Sequence, residues 1–270
     1  MQLDPIAVAA GVRLEALGTV GSTNEEARDR ARAGARGPLW ITAREQTKGR
    51  GRKGRTWASP QGNLYASLLL ADPASFEHAP ELAFVAALAV RDAILADAPQ
   101  LASALGFKWP NDLLLAAEKC AGILIEGEVG SLHGAEPAKS VTAVVGIGVN
   151  CASHPQPGAA LYPATDLRSH GADITPDMLL RRLSAAMCRR LAQWDRGNGF
   201  SAVLGDWLAA ACGIGEPIKV SEGASEKSGR FVGLDRSGRL VLELSGGALE
   251  TVSAGDVFPL AYHSDRRNPG

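Results

Sequence analysis

The sequence predicts an α+β domain followed by a small β-barrel. Up to Gly213, strand-like apolar runs at 38–43, 64–70, 120–126 and 141–149 alternate with helical spacing at 80–98 and 176–194. Beyond it the composition changes to short runs punctuated by glycine: PIKVS, GRFVGLD, GRLVLEL and ALETVSAGDVFPL. Such strands suit a small barrel, with Asp235-Arg236-Ser237-Gly238 as a hairpin turn. The expected domains are 1–212 and 213–265, with 266–270 as a disordered tail.

The totals exclude several classes. With 28 basic and 29 acidic side chains, the chain has no overall electrostatic reason to seek DNA or a membrane, so anion binding must be local. Cys120, Cys151, Cys188 and Cys212 are far apart and form no C-x-x-C pair, which argues against zinc and for reduced thiols acting as small buried hydrophobes. The start, MQLDPIAVAAG, has an early aspartate and no basic segment, so no signal peptide is expected. No apolar run reaches the length of a membrane span. His78, His133, His154, His170 and His263 lack metal-ligand spacing and are expected to be surface or structural residues.

After a short lead, GSTNEEA opens a helix that runs to about Ala33, with Gly34 as its stop. Thr23 with Glu26, or Ser22 with Glu25, has the spacing of a capping box. The same hydroxyls and amides at a positive helix end also suit a ligand, and the two readings are compatible. A strand at 38–43 leads to Gln46, and one at 64–70 follows Trp57. Between them QTKGRGRKGRTW packs Lys48, Arg50, Arg52, Lys53 and Arg55 among Gly49, Gly51 and Gly54, with no acidic neighbour. Such a cluster suits an anion, and the glycines permit close approach of the backbone. The glycines fit G-x-G-x-x-G and nearly fit a P-loop. Both motifs require a helix directly afterwards, and here the chain turns at Pro60 and Gly62 into a strand, so both are rejected.

Residues 80–98 read as a buried core helix. At 107–112 (FKWPND) proline interrupts the pattern and brings Lys108, Asn111 and Asp112 together, although Pro-Asn-Asp is good turn chemistry in itself. Lys119 stands at the mouth of an apolar strand, placed either to point into a site or to lie exposed in a turn. Gly146 and Gly148 interrupt a β-branched run that ends at Asn150, marking close approach of a ligand or another backbone. A proline-rich loop at 152–165 precedes a helix at 176–194 and a second at 200–211.

Taken together and in this order, GSTNEEA, Q-x-x-GRGRKGRTWASPQGNLYAS, KWPNDLLL, KCAGILIEG and GIGVN resemble the biotin protein ligase family. The resemblance continues through GRFVGLDRSGRLVLE and SAGDVFPL, from about Leu14 to Leu260. It implies a mixed sheet flanked by helices, of the class II aminoacyl-tRNA synthetase type, with a C-terminal SH3-like β-barrel. The implied activity is an ATP-dependent ligase that makes biotinoyl-5′-AMP, with Mg2+, and passes the biotinoyl group to a lysine of a biotin carboxyl carrier protein such as that of acetyl-CoA carboxylase. By the same resemblance Ser22, Thr23, Asn24 and Gln46 surround biotin's head group. Arg50, Gly51 and Arg52 order over its tail and the nucleotide, while Lys119 meets the biotin carboxylate and the α-phosphate, sharing the catalytic role with Arg52. Lys108, Asn111, Asp112 and Asn150 lie on the nucleotide side, and no metal ligand is assigned.

Some members carry an N-terminal winged helix-turn-helix. Only about twenty residues precede Ser22, so a cytoplasmic ligase without DNA binding is expected, with a homodimer left open. Lys53 replaces a frequent arginine and Asp256 a usual glutamate. A lipoate ligase shares the fold and the adenylation logic, but the GRGRKGR loop and KWPND favour biotin. A nucleic-acid module would need aromatics within the basic run and a net positive domain, and has neither.

Overall fold

The computed structural model describes residues 1–130, 140–156, 162–222 and 225–260. In chain order the first part comprises α1 (Pro5–Ala9), β1 (Arg13–Val20), α2 (Thr23–Arg32), β2 (Leu39–Gln46), β3 (Leu64–Ala71) and α3 (Leu82–Asp97). There follow β4 (Leu105–Lys108), β5 (Asp112–Leu115), β6 (Glu118–Gly130), β7 (Ser140–Val149), α4 (Pro176–Trp194) and α5 (Phe200–Leu208). These strands form one seven-stranded sheet in the order β1-β2-β3-β7-β6-β5-β4. β1 and β2 run parallel and every other pair is antiparallel, so the sheet is mixed.

The near-continuous apolar strands follow from burial on both faces. On β2, Leu39 and Ile41 pack with Ala27 of α2, whereas Trp40 belongs to the larger core beneath α3, α4 and α5. α3 is apolar nearly all round because it lies between the sheet and the α4/α5 pair, with Val85, Ala86, Ala89, Val90 and Ile94 at most 1% exposed.

Four expectations need correction. The lead before Gly21 contains α1 and β1. β1 escaped notice because it is an edge strand of mostly half-buried or exposed residues, without the apolar alternation that marks a strand. The helix expected over 200–211 ends at Leu208, where the chain turns to hydrogen-bond β4 from Ala210 and Cys212. Cys212 is exposed rather than buried, and Cys188 is only half-buried. ALETVSAGDVFPL is two strands, broken at residues 253–255.

The second sheet contains β8 (Pro217–Glu222), β9 (Ser225–Leu234), β10 (Leu240–Glu243), β11 (Leu249–Val252) and β12 (Asp256–Pro259), ordered β11-β10-β9-β8-β12 and antiparallel throughout. Its interior is Ile218, Val220, Phe231, Leu240, Leu242, Val252 and Val257, as alternation along barrel strands requires. The expected hairpin turn forms, with Asp235 accepting from the backbone of Ser237 and Arg239. Its tip docks on the first domain, where Trp109 donates from Nε1 to the Gly238 carbonyl at 2.9 Å. Among the described residues no helix is long and apolar enough to cross a membrane. The tail at 266–270, His133 and His263 lie outside the described residues.

Candidate active site

One face of the sheet is left low by three glycines. Gly122 of β6 pairs with Gly148 of β7, and Gly146 lies two residues before it. A Cβ at Gly146 would stand 2.3 Å from Asn24 Oδ1, and one at Gly148 would stand 2.7 Å from the Trp57 indole. The close approach expected from these glycines is therefore real, and both neighbours are side chains. Above this floor lies a cavity of about 490 Å3, walled by α2, the basic loop and residues of β5, β6 and β7. Every residue expected at the site lines it except Lys108.

At the α2 end no capping box forms. Ser22 occupies the N-cap without a side-chain cap bond, Glu25 pairs with Arg50 at 3.0 Å, and Glu26 pairs with Arg30. Thr23 turns inward instead. Gln46 Oε1 accepts from the Thr23 backbone N–H at 2.8 Å and from its hydroxyl at 3.0 Å. Gln46 Nε2 donates to Ser59 Oγ at 2.9 Å. Ser67 of β3, which sequence reasoning missed, touches both Thr23 Oγ1 and Asn24 Oδ1. These polar groups are spent on one another and on the cavity, which is why Thr23, Asn24, Ser59 and Ser67 are buried and Gln46 half-buried so close to a helix end.

The basic loop is a tight hairpin rather than an open coil. Arg50 bridges Thr56, Gly51 N–H donates to the Arg55 carbonyl at 2.7 Å, and Lys53 and Gly54 turn through positive φ of 56° and 71°. No helix follows it, in keeping with the rejection of both phosphate motifs. Arg52 Nη1 reaches Asn111 Oδ1 at 3.2 Å and the Gly255 carbonyl at 3.3 Å. Lys53 and Arg55 both pair with Asp256 of β12, so the second sheet holds the roof. Burial alone would raise the Asp256 carboxyl, yet hydrogen bonds from Arg55 and Lys53 hold it down to about 2.

Opposite the roof, Asp112 lies between two lysines, with Lys119 Nζ at 2.6 Å and Lys108 Nζ at 3.7 Å. Lys119 also stands 5.3 Å from the Trp57 ring centroid. Lys108 sits behind Asp112, its ammonium 3.5 Å from the centre of the Tyr162 ring, and burial lowers it to about 8 against the pull of Asp112. Its place is behind the wall, where it supports Asp112. Asn150 is buried and tied to Thr165 through Nδ2 at 2.9 Å. Sequence reasoning also missed Trp57, Tyr162 and Asp256, which are wall residues, whereas Ser67 lies behind the wall. Only the glycines hinted at Trp57.

The cavity thus has an α2 end lined by hydroxyls and amides, Trp57 over its glycine floor, and a cationic end where Arg52 and Lys119 meet Asn111 and Asp112, with Arg50 paired to Glu25 of α2. Its polar end suits a small uncharged head group and its cationic end suits an acid meeting a phosphate. Comparison with known proteins agrees. The family described as "Biotin/lipoate A/B protein ligase family" matches residues 20–150, and "Biotin protein ligase C terminal domain" matches 213–258. The biotin--[acetyl-CoA-carboxylase] ligase of Paracoccus denitrificans is 41% identical over 247 residues, covering 90% of this chain and 98% of that protein. Among solved structures, the biotin protein ligase of Aquifex aeolicus in complex with biotin and ATP superposes with a TM-score of 0.73 at 27% identity, over 91% of this chain and 97% of that one. That of Leishmania major with biotinyl-5-AMP gives 0.61 at 26%, over 90% and 99%.

Fold and site together are those of a ligase that activates a small carboxylic acid against a nucleotide. The chain belongs to the biotin protein ligase family.

Proposed function

We infer that this chain joins the carboxylate of biotin to the α-phosphorus of ATP, releases pyrophosphate, and transfers the biotinoyl group to a lysine of a biotin carboxyl carrier domain. The observation that carries the reading is the pair Arg52 and Lys119, beside Asn111 and Asp112, in a cavity whose wall also carries Arg50 and whose α2 end presents the hydroxyls and amides of Ser22, Thr23, Asn24 and Gln46. Two anions repel one another, and cations fixed between them offset that repulsion without reorganising during the reaction.

Each cation already has a partner that it can exchange. Arg50 leaves Glu25, Arg52 leaves the Asn111 amide, and Lys119 leaves one oxygen of Asp112. Lys119 is best placed at the reacting carboxylate and α-phosphate, with Trp57 against the aliphatic tail. As the carboxylate oxygen attacks, charge grows on the equatorial phosphate oxygens and on the leaving pyrophosphate, where Arg52 and Lys119 stabilise it. The hairpin over the cavity keeps water from the mixed anhydride. In the second step the neutral amine of the carrier lysine attacks the acyl carbon, the C–O bond to AMP breaks, and an amide forms. In this reading Asp112, a wall carboxylate freed from Lys119, takes the amine's proton.

Among the described residues no three metal-ligating side chains cluster. Mg2+ would be held chiefly by phosphate oxygens and water, with Asp112 as the wall carboxylate within reach, since the other, Asp256, is taken by Arg55 and Lys53. The ion would add positive charge at the phosphates. The working context we infer is cytoplasmic, without a DNA target, with the dimer left open.

The deciding experiment is ATP-dependent transfer of biotin to a carrier domain, with lipoate as competitor. Transfer that needs ATP and resists lipoate supports the reading. Absence of both biotin binding and pyrophosphate release ends it.

A further inference from the structure

The α2 end of the cavity has too few protons. Asn24 Oδ1, Ser67 Oγ, Thr23 Oγ1 and Gln46 Oε1 form a row with three O···O contacts of 2.6, 2.8 and 3.0 Å. A hydroxyl carries one proton. Thr23 and Ser67 therefore bring two protons to three contacts, and the amides at the two ends decide whether more are available.

Both amides present oxygen to the row. Gln46 must do so because the Thr23 backbone N–H, which can only donate, points at Oε1. At Asn24 the orientation is set from outside the cavity. Its Nδ2 donates to Glu126 Oε2 at 2.7 Å, and turning the amide over would set Oδ1 against a carboxylate. Arg28 lies 3.9 Å from the other oxygen of Glu126. A neutral or donating group at residue 126 would let Asn24 turn, offer Nδ2 to Ser67, and complete the row without a ligand. As built, one contact has no hydrogen, which is costly where Thr23, Asn24 and Ser67 are at most 5% exposed.

We propose that Glu126, which does not line the cavity, is a positioning residue that keeps this end short of donors, so that the acid accepted is one whose head group supplies N–H. This rests on the proposed biotin chemistry and extends it: a cyclic urea offers an N–H to the lining oxygen of Thr23 or Asn24 that the row leaves without a hydrogen, and a dithiolane of similar tail length does not. Discrimination of this kind is strong, because the wrong ligand leaves buried acceptors unmatched.

The test measures ATP-dependent pyrophosphate release against biotin and against lipoate for wild type, Glu126→Gln, Asn24→Asp and the double variant Asn24→Asp/Glu126→Gln, with thermal unfolding alongside. For Glu126→Gln the biotin KM rises about tenfold or more, kcat changes little, and the preference for biotin over lipoate narrows. Asn24→Asp alone sets two carboxylates face to face and is worse. The double variant reverses donor and acceptor between the two positions, still presents oxygen to Ser67, and recovers most of the biotin KM and the preference. A merely structural loss would not be recovered in this way. A folded Glu126→Gln enzyme with unchanged KM and preference overturns the proposal. Should that variant fail to fold, a folded double variant without recovered biotin affinity overturns it equally. Wild-type enzyme that activates both acids alike overturns it as well, whereas wild type that activates neither overturns the ligase reading itself.

Discussion

Asp256 and Arg55 meet across 201 positions of sequence, Arg55 donating from both terminal nitrogens to the two carboxylate oxygens, and Lys53 adds a third contact at 3.1 Å. The roof of the site is therefore fastened to the second sheet. A planar guanidinium on a carboxylate is the strongest ion-pair geometry available, and Asp256 is only 9% exposed.

Loss of this fastening has a signature in pH. The folded Asp256 carboxyl, at about 2, lies below its unfolded value, so its stabilisation is present above about pH 4 and is lost as pH falls towards 2. Asp256→Asn should cost about 1–2 kcal/mol at pH 7, part of the ion-pair energy being screened because Arg55 and Lys53 are 41% exposed. The difference should close on acidification, measured by urea unfolding across pH. Faster tryptic cleavage between residues 46 and 57 should accompany it, and equal cleavage of both proteins would show that Asp256 does not hold the loop.

Gly148→Ala tests the floor. The new methyl would stand 2.7 Å from the Trp57 indole, so the ring must lift, whereas at Gly122 the corresponding distance is 3.1 Å. Biotin affinity measured by calorimetry should fall about tenfold or more for Gly148→Ala and less for Gly122→Ala, because overpacking of this kind costs roughly 1–3 kcal/mol. The same order should appear in the tryptophan emission.

Lys119→Ala should leave the fold intact and slow adenylate formation by about 10²–10³, the usual effect of removing one preorganised positive group. Arg52→Ala should retain the adenylate poorly. Pyrophosphate release and the half-life of the bound adenylate measure the two effects, and wild-type values in either variant would remove the assigned role.

Lys108 gives a prediction at alkaline pH. Burial brings it to about 8 against the counter-pull of Asp112, while the unfolded chain keeps a lysine near 10.4. Between those values the unfolded state binds more protons, so stability from this group rises with pH. Wild type should gain about 1–2 kcal/mol relative to Lys108→Met between pH 7.5 and 9.5 in denaturant titrations. A constant difference would show that Lys108 is not buried as a charge.

Periodicity made the helices at 80–98 and 176–194 and the strands at 64–70 and 141–149 legible, because each buries a continuous apolar face. β1 had no such face and needed β2 beside it to become a strand. The capping residues illustrate the same limit within the site. Thr23 and Glu26 have cap spacing, but the Thr23 hydroxyl found Gln46, a partner that exists only after α2 has packed against the sheet, and Glu26 found Arg30 one turn along its own helix.

By itself the sequence determined the alternation of elements, the position of the cationic hairpin, and the glycines at which something must come close, since these depend on local sterics and on charge along one stretch. Only the tertiary structure decided what comes close: Trp57 over Gly148, Asn24 over Gly146, Asp256 beneath Arg55, and Glu126 behind Asn24. The reason is physical. Propensity and pattern act between near neighbours, whereas the direction of a hydrogen bond or the partner of a buried charge is settled by whichever distant group the folded sheet brings within about 3 Å.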